Sequence, residues 1–213
     1  DILINAFING KIYKSAKLVI HTQIPIEKNC CFTKEKLRKY NIEVIEKTVT
    51  APGLYYMGDI YVYPTRLDGL GLTMYEALAS GMPMIVSDFP PMNEVGTSEF
   101  VKYVKIADYY CRGDAYYYPM VKCDENSLIE AMKWYVNHPD DLKKQKLLAR
   151  TYAEQYYDIA KLSSVISNIF IKAVNRPLDS MIVLEVKRSY LKKFNVLRWI
   201  LNHRIIDNLR HRK

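Results

Sequence analysis

Long hydrophobic runs are missing from this chain. No apolar stretch in its 213 residues approaches the ~18 that a membrane-spanning helix needs, so no such span is expected. Cysteine is sparse, with four residues at Cys30, Cys31, Cys111 and Cys123. Adjacent cysteines are poor disulfide partners, and no Cys-x-x-Cys pair occurs. The four histidines (His21, His138, His203, His211) do not cluster with the cysteines, which argues against a zinc site. Free thiols in a reducing, cytoplasmic setting are the expectation. The sequence has no internal repeat, no low-complexity segment and no opening signal peptide. It begins at Asp1, and "DILINAFINGK" reads as a helix with Ile2, Leu3, Ala6 and Phe7 apolar. The expectation is a chain that starts mid-domain, lacking its first strand.

Hydrophobic residues make up 49% of the chain, enough for a packed core. The net charge of +8 is unevenly placed. From Arg176 to Lys213 there are ten Lys/Arg against three acids, whereas the preceding residues hold 21 against 20. A nearly neutral body over 1–175 is therefore followed by a basic extension over 176–213.

Along the body, residues 17–22 read as a short strand and 33–40 as a helix begun by Thr33, with Glu35 in its first turn. Residues 42–49 alternate and read as a strand. A short helical stretch then leads to a strand over 60–63, closed by Pro64. Residues 84–87, 101–106 and 119–122 are further strands, and helices are expected at about 125–137, 140–155 and 159–173. Strands separated by helices imply parallel pairing and a doubly wound α/β sheet. In such sheets, ligands bind beyond the carboxyl ends of the strands.

One stretch at such an end is rich in chemistry: "RLDGLGLTMYEALASGMP", residues 66–83. Gly69 and Gly71 permit left-handed backbone and close approach. Residues 73–80 are helix formers, stopped by Gly81-Met82-Pro83. The first N–H groups of that helix have no partner inside it and carry the positive end of its dipole. A glycine turn feeding a helix start suits a phosphate, although a tight loop before a core helix has the same pattern. Two carboxylates, Asp68 and Glu76, stand eight residues apart across the turn.

This stretch, extended to "LYYMGDIYVYPTRLDGLGLTMYEALASGMPMIVSDFPPMNEV", resembles the donor-binding, C-terminal domain of GT-B glycosyltransferases, specifically the large retaining group called family 4. The resemblance runs from about residue 1 to 172. Asp59 opens a strand that Pro64-Thr65 closes, and the glycine turn, second acid, Gly-x-Pro and Pro-x-x-Glu follow in the family's order. The segment "DENSLIEAMKWYVNHPDDLKKQKLLAR" matches the family's late helix pair more generically. The resemblance implies a Rossmann-like GT-B C-terminal domain over 1–175. It also implies a metal-independent, hexosyltransferase-like enzyme that transfers a sugar with retention.

The substrate would be a UDP- or GDP-linked sugar, with no further cofactor. Backbone around Gly69, Leu70, Gly71, Leu72 and Thr73 would hold the diphosphate, with Thr65 and Arg66 beside it. Glu76 would accept from the ribose hydroxyls, since a carboxylate suits a vicinal diol. Asp68 would meet the donor sugar, but the family has Glu there, and one methylene less shortens the reach. Asp68 and Glu76 are the candidate catalytic residues. The family's phosphate-binding Arg and Lys, and its acceptor-binding domain, would precede Asp1. The alternative is a nucleotide-sugar-binding or scaffolding domain without turnover; a nucleotide-sugar epimerase of the same fold is a more distant one.

Several other features have plain readings. His21 ends a strand and reads either as a donor contact or as a structural histidine. Residues 44–49 lie where the family contacts the base. Asp140-Asp141 read as charges at a helix start, and Arg112-Gly113-Asp114 reads as a turn. Of 18 tyrosines, Tyr109-Tyr110 and Tyr116-Tyr117-Tyr118 could stack on sugars. Residues 180–209 can be drawn as a basic amphipathic helix. It suits an anionic membrane surface, a partner helix or packing on the domain. Peripheral membrane docking is the partner expectation, and no nucleic acid is expected because the tail lacks an aromatic platform.

Overall fold

The computed structural model describes residues 1–28, 30–113 and 117–174, with side chains. The basic extension expected over 176–213, and its helix at 180–209, lie outside the described residues. So do Asp114 and Tyr116. Asp1–Ile159 forms one compact unit, and a second begins at Ala160.

The first unit is an α/β layer structure with two parallel sheets, one of two strands and one of three. Helix α1 (Ile2–Asn9) buries Ile4, Ala6 and Phe7. Strand β1 (Leu18–Thr22) pairs in parallel with β2 (Ile42–Glu46), Leu18 opposite Ile42. Between them lies the short helix α2 (Lys34–Arg38), whose N-cap Thr33 accepts from Lys36 N–H at 3.3 Å. That contact satisfies one orphan donor, as the sequence anticipates. The second sheet has the order β3 (Tyr61–Tyr63), β4 (Met84–Ser87), β5 (Val101–Val104), all parallel. Helix α3 (Leu72–Ala79) crosses from β3 to β4. Helices α4 (Glu125–Asn137) and α5 (Pro139–Tyr156) follow.

Strand β4 explains the layering. All four of its residues are buried, and its pleat sends alternate side chains to opposite faces. Met84 and Val86 join a core with Met74, Ala77 and Leu78 of α3 and Ala149 and Ala153 of α5. Ile85 joins the other core, with Phe7 of α1, Leu37, Ile42, and Leu128 and Met132 of α4. A strand covered on both faces reads as a continuous apolar run, which is how 84–87 stood out in the sequence.

Among the described residues, the pairing departs from all-parallel in one place. Residues β6 (Ile106–Cys111) and β7 (Pro119–Cys123) form an antiparallel hairpin. The single strand expected over 101–106 is split at Lys105. There the chain leaves the β4 ladder: Lys105 N–H donates to Ser127 Oγ at 3.1 Å, and Lys105 C=O accepts from Asp124 N–H at 2.8 Å. Helix α6 (Ile159–Val174) lies essentially in the second unit and carries apolar residues at Leu162, Val165, Ile166, Ile169 and Phe170. No described helix is long and apolar enough to cross a membrane.

Candidate functional site

The loop from Pro64 to Gly71 leaves the carboxyl end of β3 and is tied down on two sides. Ser87 Oγ, at the end of β4, donates to Thr65 C=O at 2.7 Å. Val121 N–H of β7 donates to Arg66 C=O at 3.0 Å. Thr65 Oγ1 turns inward to Leu67 C=O at 3.1 Å. The loop is therefore fixed at the strand ends, where an α/β sheet places its ligands.

Gly71 is the N-cap of α3, with φ 65° and ψ 42°. This left-handed backbone disfavours a Cβ. A Cβ there would also meet Met74 Cε at 2.1 Å. Gly69 differs from the expectation. It does not adopt positive φ, and nothing lies within 4 Å of where its Cβ would stand. The turn therefore uses one glycine for conformation, and the other leaves open space. The far end of α3 closes as the sequence foretells: Gly81 has φ 72°, its N–H donates to Leu78 C=O at 2.9 Å, and Met82 N–H donates to Ala77 C=O at 2.9 Å. This is a Schellman cap.

Both candidate acids are held by tyrosine. Tyr55 Oη donates to Glu76 Oε2 at 2.5 Å. Tyr63 Oη donates to Asp68 Oδ2 at 2.5 Å. Between them stands Tyr61, with ring centroids 6.1 Å from Tyr55 and 5.6 Å from Tyr63. Thr73 in the first turn of α3 stands beside the Tyr61 and Tyr63 phenols. Tyr61 and Tyr63 face the same way because they are two apart on a strand. The ladder therefore lines the start of α3 and fixes both carboxylates.

The other oxygen of Asp68, Oδ1, accepts from Leu70 N–H at 3.0 Å and Gly71 N–H at 2.6 Å. These bonds favour the charged form. Tyr63 foremost holds the Asp68 carboxyl below its ordinary range; burial opposes this, and the Gly71, Leu70 and Gly69 N–H groups add to the lowering. The phenols shift the opposite way. Burial, then the hydrogen bond to Glu76, pushes Tyr55 up. Burial pushes Tyr61 up to about 12, and burial with Asp68 pushes Tyr63 up. All three phenols are thus protonated donors at neutral pH.

The remaining candidates fall as follows. Leu70 and Leu72 are 66% and 64% exposed at the mouth of the turn. Arg66 pairs with Asp1, Nη2 to Oδ2 at 3.6 Å, with both side chains about half exposed. Such a pair is weak, so the guanidinium is available to an anion. His21 Nε2 donates to Lys47 C=O at 2.7 Å, which gives it a structural role at the end of β1. Glu46 accepts from Ile26 N–H at 2.9 Å and pairs with Lys34, so it braces the loop after β1. Asp140 and Asp141 lie in the first turn of α5, as the dipole reading expects. Among the described residues, no group of three or more His, Cys, Asp or Glu could hold a metal ion. Sequence reasoning missed Tyr55, Tyr61 and Tyr63. The alternation in "YVY" was the available signal, since it puts two phenols on one face.

The family model of group 1 glycosyl transferases matches residues 1–100. That span includes β3, the Gly71 turn, Asp68 and Glu76. The crystal structure of TarM aligns with a TM-score of 0.58 at 15% identity, covering 79% of this chain and 31% of that one. The pneumococcal O-GlcNAc transferase GtfA, solved in complex with UDP and GlcNAc, aligns with a TM-score of 0.50 at 14% identity, covering 77% of this chain and 33% of that one. The fold is that of a GT-B domain. With the family match, these likenesses support a glycosyltransferase domain. The GT-B domain described here spans about a third of the length of these two structures. No curated protein shows significant similarity to the chain.

Proposed function

We propose that this chain is the donor-binding half of a retaining, metal-independent glycosyltransferase of the family 4 kind, whose substrate is a nucleotide-diphosphate sugar. The observation that carries the reading is the start of α3. A left-handed glycine cap, open space over Gly69 and two tyrosine-held carboxylates surround the helix N-terminus. The diphosphate would lie on the N–H groups of residues 69–73, with Arg66 as a nearby cation. A diphosphate leaving group needs fixed positive charge and N–H donors more than it needs a base. Glu76 would accept from the ribose hydroxyls with the capacity that Tyr55 leaves to it. Asp68 would accept from a donor-sugar hydroxyl. The acceptor would bind in an upstream domain, and transfer would occur between the two.

UDP is the first base to try, because GtfA was solved with UDP. Peripheral docking on the cytoplasmic face of an anionic membrane through 180–209 completes the proposal, on the charge of that segment. The test is calorimetric titration of the full-length protein with UDP, GDP, ADP and their sugar conjugates, beside Glu76→Ala. Binding of one nucleotide that Glu76→Ala weakens by about tenfold or more supports the reading, since a hydrogen bond to a charged group contributes about 1.5–3 kcal/mol. Nucleotide binding indifferent to Glu76 would sink it.

A second reading is nucleotide binding without turnover. It draws on the engagement of both Asp68 oxygens within the protein. Release of UDP from a UDP-sugar in the presence of acceptor extract separates the two.

A further inference from the structure

Asp68 occupies the ground that the donor needs. If the donor reading above holds, the N–H groups of Leu70 and Gly71 belong to the diphosphate. In this structure both donate to Asp68 Oδ1, at 3.0 and 2.6 Å, while Tyr63 holds Oδ2 at 2.5 Å. The side-chain length suits this arrangement. An aspartate readily closes a ring onto N–H groups two and three residues on, which a glutamate does not do as readily.

We propose that the Asp68 carboxylate is an internal competitor of the donor diphosphate, so that donor binds by displacing it from the N–H groups of Leu70 and Gly71. Tyr63 is the latch that keeps the carboxylate closed. On displacement, the carboxylate leaves the turn and becomes available to the donor sugar. The inference rests on the donor-site reading and adds a gate to it. An affinity measured on a gated site is reduced by the fraction of molecules in the open form.

The experiment uses UDP, which has no sugar, so that any direct contact between Asp68 and the sugar drops out. The full-length protein is titrated as wild type, Asp68→Ala, Asp68→Glu and Tyr63→Phe at one fixed ionic strength. Asp68→Ala should bind UDP about tenfold more tightly, as for a site only about a tenth open. Asp68→Glu should also bind more tightly. It keeps the charge, so its gain reports release of the N–H groups and not lost repulsion. Tyr63→Phe should move the same way by a smaller factor. If thermal melting shows that Asp68→Ala is not folded, Asp68→Glu and Tyr63→Phe decide.

UDP binding by the wild type with no gain in any folded variant would overturn the gate and leave the donor site standing. Binding of none of UDP, GDP and ADP by any of the forms would overturn both.

Discussion

Gly71 carries two demands that Gly69 does not. It sits at φ 65°, and a Cβ would stand 2.1 Å from Met74 Cε. Gly71→Ala should therefore destabilise the protein by about 1–3 kcal/mol, the range for a non-glycine residue forced into sparsely populated backbone. Gly69→Ala meets open space and should fall within about 0.5 kcal/mol of wild type. Urea denaturation of the two variants checks both, and equal effects would contradict the geometry. The sequence pattern could not tell these glycines apart, because "GLG" carries no φ values. The acids at 68 and 76 were legible from spacing and resemblance. The phenols that hold them were not, because a tyrosine in a strand reads first as packing. Asp68 was read as a shortened sugar ligand. That a shorter side chain would fold back onto the turn needs the position of the Leu70 and Gly71 N–H groups.

At the scale of elements, caps and breakers carried most of the information. Thr33, Gly81 and the buried run at β4 behave as local chemistry dictates. The β6–β7 hairpin was less visible. Its first strand is mostly exposed, and Lys105 transfers the chain from the β5 ladder to the cap of α4 without any turn residue to mark it. The row of Tyr55, Tyr61 and Tyr63 makes a pH prediction. Burial raises the pKa values of Tyr55, Tyr61 and Tyr63 above their unfolded value near ~10, so the neutral phenols favour the folded state. A raised folded pKa gives stability that is whole below ~10 and lost as pH climbs through the folded values, about 12 for Tyr61. Melting temperature should therefore fall steeply above pH ~10. In a variant with Tyr55, Tyr61 and Tyr63 all changed to Phe, that fall should be shallower. An unchanged alkaline slope in the triple variant would contradict the row's role.

At the scale of the molecule, the charge asymmetry is the feature that the fold leaves over. The body is nearly neutral and the tail carries the excess of Lys/Arg. The full-length protein should sediment with phosphatidylglycerol vesicles, less so as salt rises, and not with phosphatidylcholine vesicles. Removal of 180–209 should abolish this binding and leave UDP affinity unchanged. Vesicle binding that survives the truncation would place the membrane contact elsewhere.

The donor site depends on one spatial claim, that diphosphate lies at the start of α3. A crystal structure of the full-length protein with UDP tests it most directly. The account predicts phosphate oxygens about 3 Å from N–H groups within residues 69–73 and the ribose on Glu76. It also predicts Asp68 Oδ1 withdrawn from Leu70 and Gly71. UDP bound elsewhere, with those N–H groups still on Asp68, would contradict it.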